Sequence, residues 1–389
     1  MKCKKKGKSI LVASYYFPPE ITPRAFRTYE LVKELSKRGY NIDLFIPKIN
    51  QNENYEHLKN ISINFVDVLK YKTVIPNNEH KENKVNVRKK VLLRYIKKVF
   101  RFFVGEDFRL FYYSGKLYQK LIIDKSNKKY DFIISIGLPF YVHLAIARYI
   151  KNTNQQCVSV CDYGDPFYLN PVYKKFYLLK FLEKWVLKQF DYISIPNPKS
   201  INYYTDYKEK SRIKVIPQGF DTSNIKLETY KKNKIPTFCY AGIFYKDIRN
   251  PEFLFEFLSA LEFDYRFIIY TRINDEFFQE IISKYREKFG DRIILRDFIP
   301  REELIKEMSK MDFLINLENE NSNQMPSKVI DYALSNRPIL SISKNSFHKD
   351  TIYEFLNGNY DEALKVNLED YNIKNVADKF EKLMDTKTY

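Results

Sequence analysis

Asn323-Gln-Met-Pro-Ser-Lys-Val-Ile-Asp331-Tyr-Ala-Leu-Ser-Asn-Arg-Pro338-Ile-Leu is the stretch on which the fold turns. A short apolar run, Phe313 to Leu317, precedes it, and it runs into another, Ile339 to Ile342; both read as strands. Between them, Pro326 and Ser327 read as a helix entry, with Ser327 as N-cap. Val329, Ile330, Ala333 and Leu334 supply an apolar face at helical spacing. Strand, helix and strand with short joins make a parallel α/β layer. The start of that helix gathers free backbone N–H groups, Lys328 and, one turn in, Asp331. Such N–H groups and the helix dipole favour a phosphate. A carboxylate one turn away accepts hydrogen bonds from vicinal ribose hydroxyls. The spacing predicts a nucleotide-diphosphate site. The alternative is an ordinary helix on which Asp331 is a solvated charge.

The same alternation extends in both directions. After residue 217, strands are predicted at Thr237 to Ala241, Arg266 to Tyr270 and Ile293 to Leu295, and helices at Pro251 to Leu261, Glu276 to Lys288 and Arg301 to Met311. A last helix is predicted at about Val376 to Met384. Before residue 217, Ser9 to Ser14, Arg24 to Arg38 and Asn41 to Ile46 form a strand–helix–strand unit. Further strands are predicted at Ile133 to Ile136, Cys157 to Cys161 and Tyr192 to Ile195, with helices at Asp107 to Ile123, Phe140 to Ile150 and Tyr177 to Gln189. The expectation is α/β: two doubly wound, Rossmann-like domains, 1–217 and 218–389, facing a cleft, with the last helix free to pack back on the first. Ligands of such sheets bind at the carboxyl ends of the strands.

Composition narrows the function. The 389 residues suffice for two domains. Glycine is scarce, 10 in all, and neither a G-x-G-x-x-G fingerprint nor a Walker loop occurs. The net charge of +18 suits nucleic acid, an anionic membrane or phosphorylated small molecules. The four cysteines, Cys3, Cys157, Cys161 and Cys239, form no C-x-x-C pair, and no histidine near in sequence completes a metal set. They read as reduced core residues of a cytoplasmic protein. The longest apolar stretch, Phe132 to Ala147, is interrupted by Gly137 and Pro139 and is too short to span a bilayer.

Several of the scarce glycines follow predicted strands: Gly137, Gly164, Gly219 and Gly242. Backbone turns sharply or approaches a ligand there. Arg249, a few residues after Gly242, adds a cation suited to a diphosphate. Asp162 and Asp165 stand at a strand end, where carboxylates orient a hydroxyl or a sugar; the alternative is capping of a turn. His143 is a further candidate, weighed against a packed helix-start histidine. Arg88 to Phe103 reads as a basic helix carrying Lys90, Arg94, Lys97 and Arg101 along one stripe. It fits an anionic membrane surface, or else a core-facing helix with a solvated basic face.

Taken in order, these pieces resemble the retaining GT-B glycosyltransferases of family 4, especially those of bacterial surface-polysaccharide clusters. Ile10-Leu-Val-Ala-Ser-Tyr-Tyr-Phe-Pro-Pro-Glu20, with Arg24, is similar to the family's opening strand, loop and helix. Tyr130 to Ser135 with Pro139 and His143 is similar to its mid-domain strand and helix. Asp162-Tyr-Gly-Asp165-Pro-Phe167 resembles an Asp-x-x-Asp-Pro-aromatic motif of one branch, and Glu183 followed by Phe190 to Ser194 fits what comes after it. Ile216-Pro-Gln-Gly-Phe-Asp221 resembles an interdomain turn. Tyr240-Ala-Gly242 and the block from Gln324 to Pro338 complete the series. Asn323 stands eight residues before Asp331, where the family often carries a second acidic residue, and Ile243 stands where it often carries Arg.

The resemblance implies a nucleotide-diphosphate sugar as donor, bound in the second half by Gly242, Arg249, Asn323, Gln324, Ser327, Lys328 and Asp331. It implies a lipid-linked or oligosaccharide acceptor in the first half, near the loop of Pro18, Pro19, Glu20 and Arg24. No metal or other cofactor is expected, because helix dipole and basic side chains stabilise the leaving diphosphate. The location implied is cytoplasmic, peripheral on the inner face of the membrane. Two other readings stay open. A nucleotide-sugar epimerase of the same fold needs a donor and no acceptor. A basic nucleic-acid-binding protein fits the charge, although the charge is dispersed and no nucleic-acid motif occurs.

Overall fold

The structure, a computed structural model, describes residues 7–20, 22–49, 55, 58–69, 99–170, 175–223, 225–318 and 328–386. The chain divides into two compact units, Met1–Phe220 with Ile373–Tyr389, and Asp221–Asn372.

The first unit is built on a seven-stranded parallel sheet in the order β3-β2-β1-β4-β5-β6-β7. Its strands are β1 (Ser9–Ser14), β2 (Asn41–Pro47), β3 (Ile61–Val66), β4 (Phe132–Ile136), β5 (Val158–Asp162), β6 (Tyr192–Ile195) and β7 (Ile213–Val215). β4 and β5 are buried at every position, as strands covered on both faces must be. Their near-continuous apolar runs follow from that. Helix α1 (Pro23–Lys37) begins at Thr22, whose hydroxyl accepts from Ala25 N at 3.1 Å, with Pro23 in the first turn. Helices α2 (Phe108–Lys125), α3 (Phe140–Thr153) and α4 (Leu178–Lys188) complete the crossovers.

β3 has no counterpart in the sequence reading. It is an edge strand, only its last residue is buried, and its apolar signal is correspondingly weak. Residues 99–104 are helical; of the basic helix expected at Arg88 to Phe103, residues 88–98 lie outside the described residues. Lys90, Arg94 and Lys97 lie outside the described residues. Among the described residues no helix is long and apolar enough to cross a membrane.

The second unit holds a five-stranded sheet in the order β10-β9-β8-β11-β12. Its strands are β8 (Thr237–Ala241), β9 (Arg266–Tyr270), β10 (Ile293–Arg296), β11 (Phe313–Leu317) and β12 (Ile339–Ile342), paired in parallel throughout. Helices α5 (Glu252–Ser259), α6 (Glu276–Phe289), α7 (Arg301–Met308), α8 (Lys328–Leu334) and α9 (Lys349–Leu356) alternate with them. Phe238 pins the middle of this sheet. Its ring stacks on Phe267 of β9 at 4.8 Å and on Phe313 of β11 at 4.6 Å.

The last helix, α10 (Ile373–Met384), belongs to the first unit and not to the second. Its Val376, Ala377 and Phe380 are fully buried in the core formed with Leu31 and Leu35 of α1. Arg38 then reaches Asp378 at 2.5 Å and Glu381 at 2.8 Å. The apolar face of α10 needs a partner, and α1 supplies it. Cys157, Cys161 and Cys239 are free thiols buried in the cores.

Candidate functional site

A parallel sheet binds ligands beyond the carboxyl ends of its strands, where the strand order reverses. In the first unit that point lies between β1 and β4, and in the second between β8 and β11. Each unit therefore offers one crevice, and the candidate residues sort between them.

In the second unit, β8 ends at Ala241 and α8 presents two side chains to that strand end. Lys328 Nζ donates to Ala241 O at 2.9 Å. Tyr332, one turn on, accepts from Ala241 N at 2.8 Å and donates to Ala241 O at 3.1 Å. The i, i+4 spacing of Lys328 and Tyr332 aims both at one peptide unit. The Lys328 amine also sits 5.5 Å from the centre of the Phe298 ring. Burial first, and then the neighbouring Arg249 guanidinium, bring the Lys328 amine down to about 8. Two cations are held close at the strand end, an arrangement that an incoming anion relieves. Gly242 lies beside them, but its own N–H is taken by Tyr270 O at 2.9 Å. Gly242 therefore offers no donor, and its missing side chain makes room for the Tyr240 hydroxyl, which a Cβ there would strike.

Asp331 is one turn into α8, and its side chain is 20% exposed. Its Oδ1 accepts from Arg301 Nε at 2.7 Å and lies 2.6 Å from Arg301 Nη2. Burial pushes the carboxyl up, and Arg301 opposes that shift. Among the described residues Oδ2 has no hydrogen-bond partner, while Oδ1 is anchored by Arg301. Arg301, at the start of α7, is a site residue that the sequence reading did not single out. Asn323, Gln324 and Ser327 lie outside the described residues.

In the first unit, Ser14, Ile136 and Asp162 end three adjacent strands in register. The Asp162 carboxylate is buried and fully engaged. Arg27 donates from Nη2 to Oδ1 at 2.8 Å and from Nε to Oδ2 at 3.1 Å. Arg24 Nη1 donates to Oδ2 at 3.0 Å, and Ser194 Oγ donates to Oδ1 at 2.5 Å. Burial opposes ionisation, but the two guanidinium groups win and hold the carboxyl below the usual range. This geometry suits an anchor for Arg24 and Arg27 more than a proton acceptor. Arg27 also donates to the carbonyls of Ile216 and Pro217, tying α1 to the strand-end turn. Arg24 is the member that reaches solvent, its side chain 14% exposed. Asp165 is half-buried, and its charge acts on Arg24.

His143 lies on the first turn of α3 and is fully buried. Nδ1 is 2.7 Å from Ser135 Oγ, and the ring packs on Tyr163 with centroids 4.6 Å apart. Nε2 has no hydrogen-bond partner among the described residues. Burial lowers the imidazole to about 3, so the ring is neutral near pH 7. It can exchange hydrogen bonds there but carries no charge. Gly137 lies directly over it, and a Cβ at that position would fall 2.4 Å from Nε2. Gly164 bears the same relation to Arg24, with a Cβ falling 2.2 Å from Nη2. Both glycines follow strands and let a polar side chain approach the backbone. Because Ser135 and Tyr163 pin the ring, Gly137→Ala should destabilise the protein by about 1–3 kcal/mol. Gly115→Ala in α2, where a Cβ meets nothing within 4 Å, should instead stabilise it, by roughly 0.4–1 kcal/mol. Urea denaturation followed by fluorescence of the single tryptophan, Trp185 on α4, reads both.

Two buried carboxylates support these loops. Glu183 accepts from Phe167 N at 3.3 Å and Tyr168 N at 3.2 Å, bracing the turn that carries Asp165. Glu106 accepts from Phe140 N at 2.9 Å and so caps α3, whose N-cap Pro139 has no side chain able to do so. Burial pushes each up to about 7. Pro18, Pro19 and Glu20 line a shallow pocket with Tyr15, Phe17 and Tyr55 beyond β1 and β2. Glu20 Oε2 is buried there without a partner among the described residues. Arg101 is exposed on the helical stretch 99–104.

The sequence pattern of the first unit has a match of its own. The family model of Glycosyltransferase Family 4 matches residues 25–224, just over half of the chain. The chain belongs to glycosyltransferase family 4. The match covers α1 from Ala25 on, with Arg27, and Gly137, His143, Asp162, Ser194 and the turn at Ile216 to Asp221.

Solved structures place this family 4 chain in the GT-B fold. Sucrose-phosphate synthase from Thermosynechococcus elongatus aligns at a TM-score of 0.64 and 12% identity, over 97% of this chain and 98% of that one. The lipopolysaccharide outer core galactosyltransferase WaaB in its apo form aligns at 0.55 and 11%, over 97% and 96%. Anabaena Alr3699/HepE in complex with UDP-glucose aligns at 0.55 and 10%, over 97% and 99%. At these identities the likeness shows the fold alone. No curated protein matches the sequence.

Proposed function

We propose that the protein transfers a sugar, with retention of configuration, from a nucleotide-diphosphate sugar to a lipid-linked glycan acceptor at the inner face of a bacterial membrane, in surface-polysaccharide synthesis. The observation that carries this reading is the pair of cations at the end of β8. Lys328 is fixed on Ala241 O at 2.9 Å with its amine lowered by burial and by Arg249. Such a pair favours the charge that builds on a departing diphosphate more than it favours a neutral group. It does so without a metal, which we propose the reaction does not need. Asp331, anchored by Arg301, receives the ribose hydroxyls through Oδ2. In the first unit, Arg24 and Asp165 hold the acceptor, and His143 Nε2 offers a neutral hydrogen-bonding group. Family membership supports transfer over nucleic-acid binding. The names of WaaB and HepE, a lipopolysaccharide enzyme and a UDP-glucose complex, support the substrate class.

A thermal-shift screen against UDP, GDP, ADP and their glucose conjugates tests the donor. A matching nucleotide at about 100-fold over its dissociation constant should add about 2.7 kcal/mol of stability. Absence of any shift would overturn the donor site, and free sugar released without acceptor would favour the epimerase. The pH dependence is a sharper arm. Below about pH 8 Lys328 is charged in the free protein, and the bound anion raises its affinity for the proton further. Affinity for the nucleoside diphosphate should therefore hold near pH 7 and fall above about pH 8, by up to about tenfold per unit. Lys328→Arg keeps its charge and should flatten the profile.

A further inference from the structure

The first unit carries a group of large apolar side chains that the described residues leave exposed. Phe103 is 51% exposed and Phe108 50%; on and beside α4, Tyr177 is 60% exposed and Phe181 62%. Phe111 and Leu178 add to the group. Ring contacts tie several of them into two groups, Phe100 with Phe108, and Phe102 and Phe103 with Phe176 and Tyr177. Phe100 meets Phe108 edge-on at 5.4 Å, Phe103 meets Phe176 at 5.2 Å, and Phe176 meets Tyr177 at 4.8 Å. Phe176 N donates to Phe102 O at 2.9 Å, joining the stretch 99–104 to the segment that leads into α4. Scattered exposed apolar residues need no explanation, but exposed aromatic side chains gathered on two adjoining segments mark an interaction surface.

The helix α4 shows what the surface suits. Its inner side, Leu179, Glu183, Val186 and Leu187, is buried in the core. Its outer side runs Tyr177, Leu178 and Phe181, then Lys184 and Lys188, all exposed. The one acidic residue of α4, Glu183, points inward. Arg101 adds an exposed cation on the adjoining stretch, while nearby Asp107 is paired with Arg109 at 2.8 Å. A second copy docking through the same face would bring Lys184 and Lys188 against their own like charges under two-fold symmetry. An anionic bilayer fits both halves: aromatic rings settle at the headgroup level, and lysines alongside them meet phosphates.

We propose that the first unit docks on an anionic phospholipid surface through the aromatic side chains of residues 99–111 and the outer side of α4, with Lys184 and Lys188 facing the headgroups. The inference deepens the proposed function and rests on its reading of a membrane-borne acceptor.

Flotation with vesicles of equimolar phosphatidylcholine and phosphatidylglycerol tests it, against vesicles of phosphatidylcholine alone. The wild type should float with the anionic vesicles at low salt. The combined variant Tyr177→Ser, Leu178→Ser, Phe181→Ser should lower the partition coefficient roughly tenfold or more, as apolar area stays in water. Lys184→Gln with Lys188→Gln should lower it by roughly fivefold per lysine at low salt, an effect that fades at high salt. The single variant Phe181→Ser, at a position 62% exposed, keeps the test valid if the triple variant folds poorly. A wild type that ignores anionic vesicles overturns the inference. So does unchanged flotation of Phe181→Ser and the triple variant, or self-association of the wild type that Phe181→Ser abolishes. Nucleotide-sugar titration of the same samples separates the two readings. Vesicle binding lost in the variants without any nucleotide-sugar binding in the wild type keeps the docking surface and removes the transferase reading. Nucleotide-sugar binding without vesicle binding does the reverse.

Discussion

Asp162→Ala is expected to destabilise the first unit by about 3–5 kcal/mol, the range for removing one partner of a buried ion pair. The removed carboxylate is 1% exposed and holds two guanidinium groups and a hydroxyl. Its loss leaves Arg27 buried without its counter-charge and releases Arg24 from beneath Gly164. Trp185, partly buried against the same core, is the only tryptophan, so its fluorescence in urea follows this unit and not the other. That matters because a chain of two units need not unfold in one step. Asp162→Asn keeps an acceptor and should fall between the wild type and Ala. Asp165→Asn should stay within about 0.5 kcal/mol of wild type, as half-exposed positions usually do, and show its effect in turnover instead. A shift of less than about 0.5 kcal/mol for Asp162→Ala would mean that the carboxylate is not the anchor.

Asp331→Ala should weaken binding of the matching nucleoside diphosphate by about 2–4 kcal/mol, or roughly thirty- to several-hundred-fold. Oδ1 of the carboxylate is held by Arg301, at 2.6 and 2.7 Å, which leaves Oδ2 for the proposed ribose hydroxyls. Stability should change little, since both side chains of that pair are partly exposed and water recovers much of it. Calorimetric titration of wild type and variant, with the 2′,3′-dideoxy nucleotide as control, reads the effect. The dideoxy form should bind wild type weakly and lose little more in the variant. Equal affinity of the two proteins for the normal nucleotide would sink the ribose assignment. Arg301→Ala provides an internal check: the carboxylate remains but loses its orientation, so the loss in affinity should be smaller than for Asp331→Ala.

The alternation of strands and helices was legible residue by residue where burial is uniform. β1 and β8 stand at the limits their apolar runs predict, because strands covered on both faces must be apolar at nearly every position. β3 was not legible, because at the sheet edge most of its side chains keep some contact with water and the pattern weakens. The helix α9 escaped notice for a similar reason: its buried residues are only Ile352, Phe355 and Leu356.

Local spacing along the chain was enough for the layered α/β architecture, for the place of the crevices at strand ends and for Lys328 and Asp331 on one helix, since each depends on residues a few positions apart. The assignment of α10 to the first unit depended on folding, because its apolar stripe does not say which surface will cover it, and that surface is α1, more than 300 residues away. The partners of the charges were likewise out of reach. Arg24 and Arg27 meet Asp162 across 138 and 135 residues, and Arg301 meets Asp331 across 30. A carboxylate at a strand end looks the same in sequence whether it faces solvent or two buried guanidinium groups. Which it faces sets its ionisation, and with it whether the group anchors the loop or acts on a ligand.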